Sequence, residues 1–288
     1  MNRSGPRHVL VMAKAPISGL VKTRLCPPCT ALEAAAIAEA CLADTLAAVA
    51  GCHADYKVVA LDGAPGPWLP ASIDVIAQRG ERFDQRLANA WADTRSATGG
   101  WGVQIGMDTP QITAGLLDAQ LAALGSGPEC GRPRAVLGAA TDGGWWLIGL
   151  PGTDPHRVFP GIAMSTAHTG AAQARRLRAL GLDVVAGPEL RDIDTARDLR
   201  VVTAGIPDSR VARAAIGVLA RIPQRAGQPA GTAIRAELPP MRVHTGQIAA
   251  GDGPRHPPPG LAALLVAAEA MDRPAGRDGP ALVAGAAR

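Results

Sequence analysis

The hydrophobic pattern alternates short apolar runs with helix-length stretches in which apolar residues recur every three or four positions. Residues 8–12, His-Val-Leu-Val-Met, form the first run and stop at Lys14, Pro16 and Gly19, which predicts a buried strand opening into a loop. Thr30 and Glu33 have the spacing of a capping box and predict an Ala-rich helix to about Ala50, with Leu32, Ile37, Cys41, Leu46 and Val49 facing inward. Strands are expected at 57–61 and 73–77 around a turn-rich linker at 63–70. An amphipathic helix through Phe83, Leu87, Ala90 and Trp91 follows, then a strand at 103–107 and a helix opening at Thr113. Two apolar runs at 135–138 and 145–149 and a last strand at 182–185 flank a helix expected from about 167 to 180, with Ser165 or Thr166 as its cap. Strands alternating with helices in this way predict an α/β protein whose largely parallel sheet is covered on both faces.

Composition adds a boundary. All five tryptophans, the single tyrosine and both phenylalanines lie at or before Phe159. A domain ending near residue 204 is expected, with 205–288 as a weaker extension rich in Pro, Gly and Arg. Within it, 208–222 has a helical period and 261–271 is a short apolar helix candidate. A net charge of +4 with acids and bases interspersed does not point to nucleic acid. No uninterrupted apolar stretch has the roughly 18 residues that span a bilayer, and no signal pattern precedes the first strand, so no membrane partner and a cytoplasmic location are expected. Five cysteines, an odd number without framework spacing, fit a reducing compartment. Cys26 and Cys29 have redox or half-zinc spacing but no second pair, which favours a structural role.

The candidate chemistry begins in the loop after the first strand. Lys14, Lys22 and Arg24 fall within eleven residues, and two of the three lysines in the chain are there. Gly19 permits close backbone approach and Thr23 adds a hydroxyl, so the loop can cradle a di- or triphosphate. It can equally be a solvated basic loop. It is neither a P-loop, because Val21 rather than Gly precedes Lys22, nor a dinucleotide fingerprint, which needs three glycines. Asp108 ends the strand at 103–107, where the carboxyl ends of α/β strands gather ligands; it can hold a metal beside the phosphates or make a turn before Pro110. Asp142, Gly143 and Gly144 read either as a hairpin turn or as a loop whose carboxylate accepts from substrate hydroxyls, with Trp145 or Trp146 as a flat wall. The helix start at Ser165 and Thr166 can attract an anion. Asp192 and Asp194, at i and i+2 in an extended segment, share a face and suit a divalent ion, although Asp194 and Thr195 can also cap a helix.

Taken together, Lys14, Pro16, Gly19 and the Lys22, Thr23, Arg24 motif, then residues 106–110, then Asp142 to Gly144, then Asp192 to Thr195, resemble over residues 8–203 a bacterial family of A-fold glycosyltransferases. That family is related to nucleotidyltransferases of the molybdenum-cofactor type and to phospholactate guanylyltransferases. The resemblance implies a three-layer α/β/α sandwich with a mainly parallel, mixed sheet. It implies nucleotide binding by Lys14, Lys22 and Arg24 within the motif that holds Pro16, Gly19 and Thr23, with Gln78, Gly80 and Arg86 on the nucleotide side. Asp108 and Asp194, with Asp192 beside them, would hold Mg2+ or Mn2+, and Asp142, Gly143, Gly144, Trp145, Ser165 and Thr166 would meet the acceptor. Lys22, Asp108 and Asp142 would be the catalytic set. Two departures bear on substrate choice: Asp84 stands where the family has glycine, and Met164 where it has tryptophan.

Two reactions suit such a site, nucleotidyl transfer from a nucleoside triphosphate to a small phosphorylated or hydroxylated acceptor, and glycosyl transfer from a nucleotide sugar. The dense cationic loop favours the first, because charge builds on departing pyrophosphate. A non-catalytic nucleotide-binding or docking protein is the alternative of another class.

Overall fold

The computed structural model describes residues 5–126 and 131–222. Seven strands, β1 (Arg7–Lys14), β2 (Tyr56–Asp62), β3 (Asp74–Ala77), β4 (Trp101–Gly106), β5 (Arg134–Ala140), β6 (Trp145–Leu150) and β7 (Asp183–Leu190), form one sheet in the order β3-β2-β1-β4-β6-β5-β7. All pairings are parallel except those of β6, which runs antiparallel to both β4 and β5. The expected mixed, mainly parallel sheet is therefore present.

Helices α1 (Ala31–Gly51) and α3 (Ala114–Gly125) cover one face; α2 (Phe83–Thr98), α4 (Pro155–Val158) and α5 (Thr169–Ala179) cover the other. Strand β1 is apolar on both sides for this reason: Val9, Val11 and Ala13 pack under α1 and α3, while Leu10 and Met12 pack under α2. The capping box is formed as expected, with the Thr30 hydroxyl accepting from the Glu33 amide and the Glu33 carboxylate from the Thr30 amide. Its phase turns Leu32 outward, 75% exposed, contrary to expectation; the inward stripe runs through Ala34, Ile37, Cys41, Leu42, Leu46 and Val49. By length and composition α1 could cross a membrane, but just over half of its most apolar window is buried in the protein.

The expected boundary near 204 falls inside continuous packing. Helix α6 (Ala196–Gly205) is followed by α7 (Arg210–Arg221), whose Val211, Ala215 and Val218 are buried with Ile37 and Cys41 of α1 and with Leu25. Arg221 pairs with Glu33 at 2.7 Å and Arg210 with Asp44 at 3.2 Å, so the core extends beyond the last large aromatic residue by way of small and β-branched side chains. Cys26 and Cys29 are free thiols packed at this third cluster, and Cys130 and the helix expected at 261–271 lie outside the described residues.

Candidate active site

The parallel register sets the site. Met12 of β1 lies beside Gly106 of β4, so both chains leave the sheet together, β1 into the basic loop and β4 into Asp108. Because β6 runs the other way, with Leu147 beside Ile105, its start at Trp145 and the turn before it reach the same edge. After β7 the chain returns to this edge, where the Ile193 amide donates to the Asp108 carbonyl at 2.9 Å. That backbone bond carries Asp192 and Asp194 to the tip of β4.

Lys22 lies where these segments meet. Its backbone is in the left-handed region (φ 48°, ψ 34°), a conformation unusual for a residue with a Cβ. Its Nζ is 2.8 Å from Asp108 Oδ1 and 3.5 Å from Asp194 Oδ1, and it donates to the Ile193 carbonyl. The side chain is only 6% exposed. Burial alone would lower its pKa, but the carboxylate of Asp108, with smaller contributions from Cys41 and Asp194, outweighs burial and raises it. The Cys41 thiol beneath it is pushed up to about 12, chiefly by burial. Arg24 reaches Asp194 from the solvent side at 3.3 Å.

Asp192 accepts from the hydroxyl of Thr109. Its pKa is pushed up to about 6, first by burial and further by the Asp108 and Asp142 carboxylates, against the pull of Thr109 and Lys22. Thr195 rather than Asp194 caps α6, with Asp198 completing a capping box, so the Asp194 carboxylate is left to face Lys22 and Arg24.

A cavity of about 190 Å³ opens beside these groups. Asp108, Asp142, Gly144, Trp145, Ser165, Asp192 and Asp194 line it among the expected residues. The hairpin turn forms: Asp142 Oδ1 accepts from the Gly144 amide at 2.8 Å and closes the β5–β6 turn, and both residues line the cavity. Ser165, again left-handed at φ 58°, also lines it.

Other expected residues are placed elsewhere. A Cβ at Gly143 would strike the Ala167 carbonyl, and the Gly143 carbonyl accepts from Gly170, so this glycine serves the packing of α5. Thr166 bonds to Thr169 and His168 just before α5 and does not line the cavity; the helix starts two residues later than expected, with His168 as a cap that makes no side-chain bond. Gln78 donates to the carbonyls of Ala13 and Ala60 at 2.7 and 2.9 Å, tying together the ends of β1 and β2. Gly80 holds a left-handed turn at φ 125°, and Arg86 donates to the Glu81 carbonyl and stacks 5.7 Å over Phe83. Lys14, Gly19 and Thr23 are exposed, and Pro16 is half-buried, at the edge outside the cavity.

Sequence reasoning missed Met12, Phe83, Leu87, Ile105 and Thr109 as lining residues. The signal for Phe83 was present, an aromatic residue opening a helix, and it is 42% exposed. Asp84 proves to be a clamp: it pairs with Arg82 at 2.9 Å and accepts from the Gly161 amide at 2.9 Å, fixing the loop that leads to Met164 and Ser165. Its pKa is lowered to about 2, first by the Arg82 hydrogen bond.

The donor set bears on a metal. Asp108 and Asp194 already converge on one cation, the Lys22 ammonium, so their geometry fits a positively charged partner. Among the described residues no group of three His, Cys, Asp or Glu side chains is spaced to hold an ion by itself. Two carboxylates completed by ligand phosphate oxygens are the usual provision for magnesium, and these residues fit that pattern.

Sheet order, the crossing antiparallel strand and the site at the carboxyl edge place the protein in the nucleotide-diphospho-sugar transferase fold. A protein of Desulfovibrio desulfuricans G20 described as a candidate nucleotide-diphospho-sugar transferase shares it with a TM-score of 0.66 and 25% identity, over 75% of this chain and 96% of that one. More distant are CMP:2-keto-3-deoxy-manno-octonic acid synthetase complexed with CTP (TM-score 0.43, 12% identity, 70% of this chain and 98% of that one) and 4-diphosphocytidyl-2C-methyl-D-erythritol synthase of Anaerococcus prevotii DSM 20548 (0.41, 9%, 70% and 96%). Residues 32–166 match the family described as uncharacterized protein conserved in bacteria (DUF2064). No curated protein matches the sequence.

Proposed function

We propose that the protein is a divalent-metal-dependent transferase that uses an activated nucleotide, with nucleotidyl transfer from a nucleoside triphosphate as its reaction. The observation that supports this most is the meeting of Lys22 with Asp108 and Asp194 at the sheet edge, beside a cavity large enough for a small acceptor. Lys22, Lys14 and Arg24 bind the β- and γ-phosphates. An acceptor oxygen in the cavity attacks the α-phosphorus and forms a new P–O bond. The bond from the α-phosphorus to the bridging oxygen breaks, its electron pair leaves with pyrophosphate, and the acceptor proton passes to a carboxylate, Asp142 or Asp192. Asp108 and Asp194 would hold Mg2+ or Mn2+, which when bound supplies charge neutralisation at the phosphates. The cationic loop neutralises the leaving group, where negative charge grows most.

Glycosyl transfer from a nucleotide sugar is the second reading, favoured by the likeness to the Desulfovibrio protein. There the same cations would hold the departing nucleoside diphosphate. Incubation with each nucleoside triphosphate or nucleotide sugar, Mg2+ and a mixed acceptor pool separates the two. Pyrophosphate release abolished by Asp108→Asn is expected; release of nucleoside diphosphate from a nucleotide sugar would instead establish glycosyl transfer. Saturable nucleotide binding with neither product would favour a non-catalytic binding protein.

A further inference from the structure

The cavity lining combines two chemistries. It holds the carboxylates of Asp108, Asp142, Asp192 and Asp194, with Asp192 near enough to feel the charges of Asp108 and Asp142, and the apolar side chains of Phe83, Leu87, Trp145 and Met164, the last three packed in one apolar cluster. Among the described residues that line it there is no Lys, Arg or His. Cations near it have partners of their own: Lys22 lies between Asp108 and Asp194, Arg24 pairs with Asp194, Arg82 with Asp84, and Arg86 donates to the Glu81 carbonyl while it stacks over the Phe83 ring.

We infer that the acceptor is an uncharged, hydroxyl-bearing molecule with an apolar body, such as a polyol or sugar carrying a hydrocarbon or aromatic group, and that phosphorylated acceptors are excluded. The inference rests on the transferase reading above and narrows its acceptor class. A phosphate monoester brings about 1.5 to 2 negative charges, and its recognition relies on arginine forks or ammonium groups, which the lining lacks. Asp108 and Asp194 are offset by Lys22 and Arg24, whereas Asp142 and Asp192 form no ion pair among the described residues and repel a phosphate instead. A hydroxyl needs no counter-charge: it donates to a carboxylate and accepts from nearby amides. The carboxylates are set for that task, Asp142 fixed by the Gly144 amide and Asp192 by the Thr109 hydroxyl. Among the described residues, nothing covers the outer part of the apolar lining. The Phe83 ring is 42% exposed at the start of α2 with Arg86 stacked on it, and Met164 is held near it by the Asp84 clamp on Gly161. A hydrocarbon or ring bound there removes this surface from water.

The test compares hexyl β-D-glucoside with its 6-phosphate on the full-length protein, followed by tryptophan fluorescence, since Trp145 and Trp146 both line the cavity. In the same preparation, thermal shift is measured with nucleoside triphosphates and nucleotide sugars in Mg2+. The neutral glucoside is expected to bind at least about tenfold more tightly than the phosphate, a ratio that Asp142→Asn narrows severalfold by removing one repelling charge. Phe83→Ala is expected to weaken the hexyl glucoside more than glucose itself. The inference is overturned if the phosphate binds as tightly as the neutral compound, if the ratio is unchanged in Asp142→Asn, or if the neutral glucoside shows no saturable binding. When nucleotides still stabilise the protein in those cases, only the acceptor class falls. When no nucleotide or nucleotide sugar stabilises it, the transferase reading falls as well.

Discussion

Replacing Lys22 with Met keeps the buried hydrocarbon stem and removes only the ammonium. In the native protein that charge is shared by Asp108 at 2.8 Å, Asp194 at 3.5 Å and the Ile193 carbonyl. Removing one partner of a fully buried ion pair costs about 3–5 kcal/mol. Here the two carboxylates are 40% and 38% exposed, and water can take over much of their solvation. The expected loss of stability is therefore nearer ~2 kcal/mol, read by urea denaturation. The effects on binding have opposite signs. A charge-assisted contact to phosphate is lost, so triphosphate affinity should fall by about 2 kcal/mol, roughly thirtyfold. The carboxylate pair, no longer occupied by its own ammonium, should bind free Mn2+ about tenfold more tightly, about 1.4 kcal/mol. Calorimetry with the triphosphate and paramagnetic resonance of free Mn2+ read the two separately. General damage to the fold would weaken both ligands together. Wild-type triphosphate affinity, or Mn2+ affinity that does not rise, would refute the view that Lys22 is both phosphate ligand and resident counter-ion.

Three further outcomes are expected. Asp84→Ala leaves the Gly161 amide and Arg82 without their acceptor, which should cost about 1–3 kcal/mol by denaturation and loosen the loop at Met164 and Ser165, seen as faster amide exchange there. His8 is buried against Trp91 with neither ring nitrogen bonded, and its pKa is lowered to about 3, first by burial and then by Arg95. Because the folded value lies below the unfolded one, the unfolded chain takes up the proton first and stability falls as pH drops below 6.5. His8→Leu should remove that dependence, gaining about 2 kcal/mol relative to wild type between pH 7 and pH 5; parallel pH profiles would refute it. Ending the chain at residue 205 removes the buried Val211 and Val218, each contributing about 1.5–3 kcal/mol, and should lower the melting temperature markedly; unchanged melting would show that α7 is dispensable.

Much of the frame was legible because its causes are local. The apolar run at 8–12 ends where Lys, Pro and Gly end it, the Thr30 and Glu33 pair forms the capping box its spacing implies, and the alternation of strands and helices leads to a mainly parallel sheet. Readings that depended on distant partners went differently. Leu32 faces water because the cap sets the phase of α1, and α7 completes the core because α1 offers it a groove of small residues. Gly143 and Gln78 serve backbone packing because Ala167 and the ends of β1 and β2 lie against them.

The same division holds for the site. The amino-acid order by itself determined which residues carry charge and which strand ends present them, since a side chain's chemistry and a strand's termination are set within a few positions. Tertiary structure alone decided that Lys22, Asp108 and Asp194 meet, through the β1–β4 register and the Ile193–Asp108 backbone bond, and that the cavity beside them is lined by both carboxylates and apolar side chains. Convergence of segments more than eighty residues apart depends on strand order and packing, which no local spacing encodes.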